Sequence, residues 1–326
     1  MVTFWAAALG LSLLLYVLLD GFDLGVGILF PFAPGETGRR HMMAAISPVW
    51  DGNETWLVIS AATLFAIYPA AYAILLGAFY LPVIVMLCGL ILRGVAFEFR
   101  NNASQRFRGV WSVSFAAGSY VAAFAQGAAA GAFLQELPVT NGVYTGSVLT
   151  WLSPFSLLCG VGLCFGYALL GAGWLVLKTK TDVRRFGYRV MPLILGGLLL
   201  FLDVAAAFAF VLDLQVTHRW LQRPEMFVFL ACGAVALLCL LYAMVKEKDW
   251  MPYAMTVVMF TAAYATIVVS LLPYIVPFSL TIDDAAAPHS SLAFLFWGAG
   301  IVILPLTLAY TCVVYVIFRG KVVAAS

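Results

Sequence analysis

Residues 3–30 read TFWAAALGLSLLLYVLLDGFDLGVGILF, twenty-eight positions with no charge until Asp20 and Asp23. A helix crossing a bilayer needs about 20 mostly apolar residues, so this run predicts a spanning helix. A strand of a membrane barrel needs only about 10 and alternates in polarity, which the continuous run excludes. No basic segment precedes it and no small-residue cleavage site follows, which predicts a retained helix instead of a signal peptide.

The same pattern recurs along the chain. Eight further segments qualify, near 49–68, 70–99, 109–136, 148–178, 186–213, 225–246, 251–275 and 290–318. Composition agrees: hydrophobic residues make up 64% of the 326 positions and charged residues 10%, against about 25% charged in soluble domains. So few charges cannot cover a water-facing surface, and a net charge of +2 gives no footprint for nucleic acid. The expected fold is all-α, a polytopic membrane protein with nine transmembrane helices in one domain over 1–326. No connection exceeds the stretch from Pro31 to Pro48, which leaves no room for a soluble domain.

Basic residues orient the spans. Alternate connections hold Arg39, Arg40, Arg100, Arg106, Arg108, Lys178, Lys180, Arg184, Arg185, Arg189, Lys246, Lys248, Arg319 and Lys321, which is 14 of the 17. The other side has Arg219 and Arg223, and Arg93 lies within the third span. This predicts an N-terminus outside and a C-terminus in the cytoplasm. The nine tryptophans fall near predicted helix ends, as in an interfacial belt. Gly127 with Gly131, and Gly162 with Gly166, have the spacing that permits close helix approach. Pro305 predicts a kink in the ninth span, and Pro273 with Pro277 the end of the eighth.

The six cysteines lie in apolar runs without a CxxC pair and read as buried, inert thiols. His41, His218 and His289 fall in connections or at helix ends, so no histidine is placed to ligate a haem inside the bundle. Methionines such as Met86, Met255 and Met259 read as core. The chain is expected to ligate no metal and no haem of its own.

Charges within a spanning helix cost about 2.5–3.5 kcal/mol each, so their grouping carries information. Asp20 and Asp23 share a face of the first span. The second opens with WDGNETW (50–56), carrying Asp51, Asn53 and Glu54. The third ends with RGVAFEFR (93–100), carrying Arg93, Glu98 and Arg100. Arg93 lies roughly 10 Å deeper than Arg100 on one face. Asp51, Glu54, Asp20, Asp23 and Glu98 are therefore candidate proton-transfer groups, Asp51 foremost, with Arg93 and Arg100 as ion-pair partners. Asp51 and Glu54 also have capping-box spacing, and a cap can be a proton acceptor too. Gln126 and Asp203 stand apart inside the fourth and sixth spans.

The motifs LLDGFDLGVGILFPF (18–32), SPVWDGNETWLV (47–58) and ILRGVAFEFR (91–100), in that order, resemble subunit II of the cytochrome bd-type quinol oxidases, above all its cyanide-insensitive branch. WLSPFSLLCG (151–160) and LPLTLAYTCVVYVIFRG (304–320) extend the likeness less distinctively. The resemblance implies a heterodimer with a subunit I that carries two b-type haems, one d-type haem and the quinol site. It implies quinol and dioxygen as substrates, a bacterial cytoplasmic membrane, and a proton motive force built without pumping. It gives Asp51 a place on a cytoplasmic proton path, and it allows a quinone bound in this subunit and a small single-helix accessory subunit. The chain lacks a long hydrophilic insert, so a quinol-oxidising loop is not expected in it. A proton- or cation-coupled transporter using Asp20, Asp23 and Asp203 is the alternative, although no internal repeat is evident. A chemically silent assembly partner is the third.

Overall fold

The computed structural model describes residues 1–223 and 226–322. It is built of helices α1 (Val2–Leu29), α2 (Gly35–Ile46), α3 (Trp50–Ile67), α4 (Pro69–Asn102), α5 (Gln105–Leu134), α6 (Pro154–Lys178), α7 (Thr181–Val211), α8 (Gln215–Gln222), α9 (Phe227–Lys246) and α10 (Met251–Leu271). The short helices α11 (Ile282–Ala285) and α12 (His289–Leu295) and then α13 (Ile303–Ile317) complete the chain. Two small antiparallel hairpins, β1–β2 (139–144) and β3–β4 (274–281), lie in connections.

Seven helical segments are long and apolar enough to cross a membrane: Val2–Phe32, Pro69–Arg100, Pro154–Lys178, Asp182–Val211, Phe227–Lys246, Met251–Leu271 and His289–Ile317. The protein is an integral membrane protein. Helices also form at the two remaining expected positions, α3 and α5, but these are less apolar. α3 opens on the polar WDGNET, and α5 is rich in alanine, glycine and serine, which add little apolar area.

Local chemistry accounts for the ends. Ser153, not residue 148, starts α6: its hydroxyl accepts the Ser156 N–H at 3.0 Å while Pro154 occupies the first turn. α10 stops at Leu271 ahead of Pro273. The last span is broken, with a π-turn over Phe296–Gly300 between α12 and α13. Pro305 has no N–H to offer the Ile301 carbonyl one turn earlier, which is where the helix gives way.

Packing is tightest where side chains are smallest. A Cβ on Gly25 would lie 1.8 Å from the Tyr167 carbonyl oxygen, so α1 and α6 touch backbone to backbone. At Gly127 a Cβ would meet the Cys159 carbonyl at 2.5 Å, and α5 meets α6 the same way. The tryptophan belt expected from sequence is only partial. Trp5, Trp56, Trp151 and Trp174 are buried in the core, because each indole packs between helices; Trp220, Trp250 and Trp297 are exposed.

Hydrogen bonds tie the ends of the bundle. At one end the Trp174 indole donates to the Ala45 carbonyl (3.0 Å), Arg100 reaches Glu36, and Lys321 and Arg184 hold Asp249. At the other, the Tyr68 hydroxyl donates to the Val2 carbonyl (3.0 Å), and Arg219 donates to the carbonyls of Ser270 and Leu272.

Candidate functional site

α1 is uninterrupted through its polar stretch, so Asp20 and Asp23 leave the helix three residues apart, both fully buried. Their neighbours come from α3 and α4. The Arg93 guanidinium lies 2.7 Å from Asp20 Oδ1 and donates to Glu54 Oε1 in a very close contact. Asn53 donates to Asp23 Oδ2 at 2.7 Å and to the Leu19 carbonyl at 3.1 Å, while its own Oδ1 accepts from the Tyr315 hydroxyl at 2.9 Å. Tyr315 belongs to α13, so four helices meet here.

One guanidinium thus pairs with the buried Asp20 and the half-buried Glu54, with Asp23 one turn along α1 from Asp20. Hydrogen bonding does not saturate the cluster. Both Asp20 oxygens, Asp23 Oδ1 and Arg93 Nε and Nη1 have no hydrogen-bond partner among the described residues, the Arg93–Asp20 approach being off the N–H axis. Buried polar atoms left in this state are rare in folded proteins. Three carboxylate oxygens and two guanidinium nitrogens are thus left without a hydrogen bond among the described residues.

The polar set continues inward. Tyr16 lies one turn from Asp20 on α1, on the same face. Gln126 of α5 donates to the Tyr16 hydroxyl at 2.7 Å and accepts from the Tyr167 hydroxyl of α6 at 2.8 Å. Gln126 was legible as an isolated polar residue. Its two tyrosine partners were hidden among the aromatics, and only the register of α1, α5 and α6 brings them together.

Four expectations need correction. Asp51 is not a helix cap: α3 begins at Trp50, its N-cap is Val49 and no side chain caps it. Glu54 therefore does not reach back to complete a capping box, but pairs with Arg93. Asp51 sits exposed in the first turn, on the face of Glu54 one turn below. Glu98 does not join the cluster, since its side chain is exposed on α4. Nor do Arg93 and Arg100 serve one site. Arg100 Nη2 donates to both oxygens of Glu36 on α2 (2.8 Å each), its Nε donates to Ser112 (2.8 Å), and its guanidinium stacks 5.1 Å from the Phe30 ring. Glu36 was missed because α2, GETGRRHMMAAI, is too polar to register as a span and reads as a loop. Asp203 is exposed on α7, away from Asp20 and Asp23, so the three acids invoked for a transporter do not form one site.

The family model for "Cytochrome bd terminal oxidase subunit II" matches residues 1–318. The chain belongs to that family. It is thereby a subunit of a terminal oxidase, an oxidoreductase complex. Among relatives, the "Cytochrome bd-I ubiquinol oxidase subunit 2" of Escherichia coli is 28% identical, the match covering 98% of this chain and 94% of that one. The "Cytochrome bd ubiquinol oxidase subunit 2" of Bacillus subtilis is 29% identical over 94% and 92%. The "Probable cytochrome oxidase subunit 2" of Haemophilus influenzae is 39% identical, but that match spans only about half of each chain, 51% and 46%. The solved bd oxidase of Geobacillus thermodenitrificans superposes with a TM-score of 0.79 over 97% of this chain and 98% of that one, at 9% identity. That likeness carries the fold alone.

The family implies haems in the complex; among the described residues no histidine is buried in the bundle to ligate one. His41 is half-exposed on α2; His218 is exposed with Nε2 2.7 Å from Asp213; His289 is exposed at the start of α12. Met42, Met86 and Met191 are buried among apolar side chains, and the buried Met43 sulfur accepts from Arg100 Nη1 at 3.6 Å. Among the described residues no group of three or more His, Cys, Asp or Glu could hold a metal ion.

Proposed function

We propose that this chain is the proton-conducting subunit II of a quinol:oxygen oxidoreductase in the bacterial cytoplasmic membrane. It forms one membrane domain over 1–326 with nine spans, α3 and α5 included, an outer N-terminus and a cytoplasmic C-terminus. It pairs with a subunit I that carries the b- and d-type haems and oxidises quinol. The relatives named as ubiquinol oxidase subunits support the substrate, and the basic end of the bundle supports the orientation. Haem in that partner supplies the electron transfer and the dioxygen chemistry. Reduction of dioxygen to water consumes protons, and those protons must be delivered through protein.

The observation that carries this reading is the buried set Arg93, Asp20, Asp23 and Asn53, joined through the half-buried Glu54 to an exposed Asp51. Asp51, at the water-facing start of α3, takes up a proton. Glu54, one turn deeper, receives it. Arg93 remains charged and holds Glu54 and Asp20 within reach of one another, a positioning role. Asn53 orients Asp23 from one side and Tyr315 orients Asn53 in turn. Such chains of acids within membranes commonly relay protons.

The test is Asp51→Asn in the assembled complex. Oxygen consumption with quinol falls while the haem spectrum and co-purification of both subunits persist. Full consumption by that variant would remove Asp51 from the path. Neutralising Asp51, Glu54 and Glu98 together without loss of turnover would leave the subunit a structural partner only.

A further inference from the structure

Beyond the buried acids lies a second charged site of opposite sign. An open cleft of about 550 Å³ is lined by Phe30 and Pro31 behind α1, Glu36 and Arg39 of α2, and Arg108, Ser112 and Val113 of α5, among others. Arg100 closes its back through Ser112. Three guanidinium groups therefore surround a single carboxylate. Arg100, buried, takes both Glu36 oxygens at 2.8 Å. Arg39 and Arg108 stand further off, 3.7 Å and 3.9 Å from Glu36, and are about one-third exposed. Arg39 Nε is buried with no hydrogen-bond partner. The start of α5 adds to the positive field: its N-cap Ser104 makes no side-chain cap and its first turn holds no acid. Arg108 Nη2 reaches the Ala103 carbonyl at 3.4 Å, but three guanidinium groups against one carboxylate leave an excess of planar positive charge, the chemistry that binds a phosphodiester.

The surroundings decide what carries that phosphate. Val113 lines the cleft and is 69% exposed. Val110, Val113 and then Tyr120 and Val121 continue along one face of α5 as exposed apolar surface, and Phe99, Val95 and Leu92 run beside them on α4. A cationic cleft at the end of two spanning helices, above an apolar track running into the membrane, matches a head and tails. We propose that this cleft holds the headgroup of an anionic phospholipid, with Arg39 and Arg108 on the phosphate and the acyl chains along α4 and α5.

The experiment uses the purified two-subunit complex in detergent, stripped of loose lipid and titrated with phosphatidylglycerol under native mass spectrometry. Parallel titrations use phosphatidylcholine and inorganic phosphate. Wild type retains one phosphatidylglycerol more firmly than the Arg39→Gln/Arg108→Gln variant, whose affinity falls about tenfold or more. The Arg39→Lys/Arg108→Lys variant retains most of the binding, and Val113→Gln, which keeps every charge, weakens it. Equal retention by wild type and the double glutamine variant overturns the proposal. So does equal binding of phosphatidylcholine, or displacement of the lipid by inorganic phosphate with no effect of Val113→Gln.

Discussion

Arg93 and Arg100 stand two turns apart on one face of α4, both buried, yet their surroundings are opposites. Arg93 is the one cation paired with Asp20 and Glu54, with Asp23 beside Asp20; Arg100 is one of three cations around Glu36. The deep site has an excess of acid and unsaturated carboxylate oxygens, suited to carrying protons. The shallow site has an excess of guanidinium and an open cleft, suited to holding an anion. About 10 Å along one helix therefore separates two kinds of chemistry. The charge of a residue says little; the ratio of charges facing it decides.

The comparison breaks first if the two arginines are equally replaceable. Arg93→Leu leaves Asp20 buried without its cation, a loss of about 3–5 kcal/mol when one partner of a buried pair is removed. Arg100→Leu leaves Glu36 partly hydrated and close to Arg39 and Arg108, a smaller loss of about 1–2 kcal/mol. Thermal midpoints and yields of the purified complex measure both. Similar losses for the two would mean that the deep cluster is no more constrained than the shallow one.

Position in the deep site is set by α1 pressed against α6. Gly25→Ala places a Cβ into the Tyr167 carbonyl, and overpacking of this kind costs about 1–3 kcal/mol. The same push moves Asp23 and Asp20 relative to Arg93, so oxidase turnover falls along with the melting temperature. Turnover that survives a clear drop in stability would show that the acids tolerate displacement and argue against a precise relay.

How much of this contrast could be read from sequence depended on what each element looks like alone. Long apolar runs marked most of the helices, and the positions of Asp20, Asp23, Glu54 and Arg93 on them placed the deep cluster. α2 was invisible because two arginines, a histidine and a glutamate mask its helical pattern, and with it went Glu36 and the separate role of Arg100. As a cap Asp51 is misplaced by two residues: Val49 is the N-cap and the chain enters α3 at Trp50, and no spacing rule distinguishes a cap from a first-turn acid when both are Asp. Tyr16, Tyr167 and Tyr315 could not be chosen among fourteen tyrosines, since their roles exist only across helices.

Within the deep site the acids themselves can be separated. Glu54→Gln keeps the shape and removes a proton acceptor beside Arg93, so quinol-driven oxygen consumption falls about tenfold or more, toward the roughly hundredfold at the low end of general acid–base effects. Glu98→Gln, exposed and outside the cluster, changes turnover less than about twofold. Oxygen-electrode rates normalised to haem content make the comparison, and equal effects would move the path off Arg93 and toward the surface of α4.

The smallest effect lies at the basic end of the bundle, in a charge group where cations and acids balance. Asp249 accepts from Lys321 Nζ (2.6 Å), Arg184 Nε (2.8 Å) and the Tyr188 hydroxyl (3.2 Å), clamping the C-terminal segment beside the α9–α10 connection. Partial burial pushes its carboxyl upward, but the hydrogen bonds and charges of Lys321 and Arg184 outweigh that and hold it below the ordinary value. A lowered carboxyl stabilises the fold above the unfolded value of about 3.9 and ceases to do so as pH falls through the folded one. Asp249→Asn therefore costs less than about 1 kcal/mol at neutral pH, as for partly exposed pairs. The gap between wild type and variant stays constant above about pH 5 and closes below about pH 4. Unlike the deep cluster, this group is saturated on every side, so its loss shifts the melting temperature and leaves the rate of oxygen consumption unchanged; a fall in rate would mean that the balanced end of the bundle also takes part in proton entry.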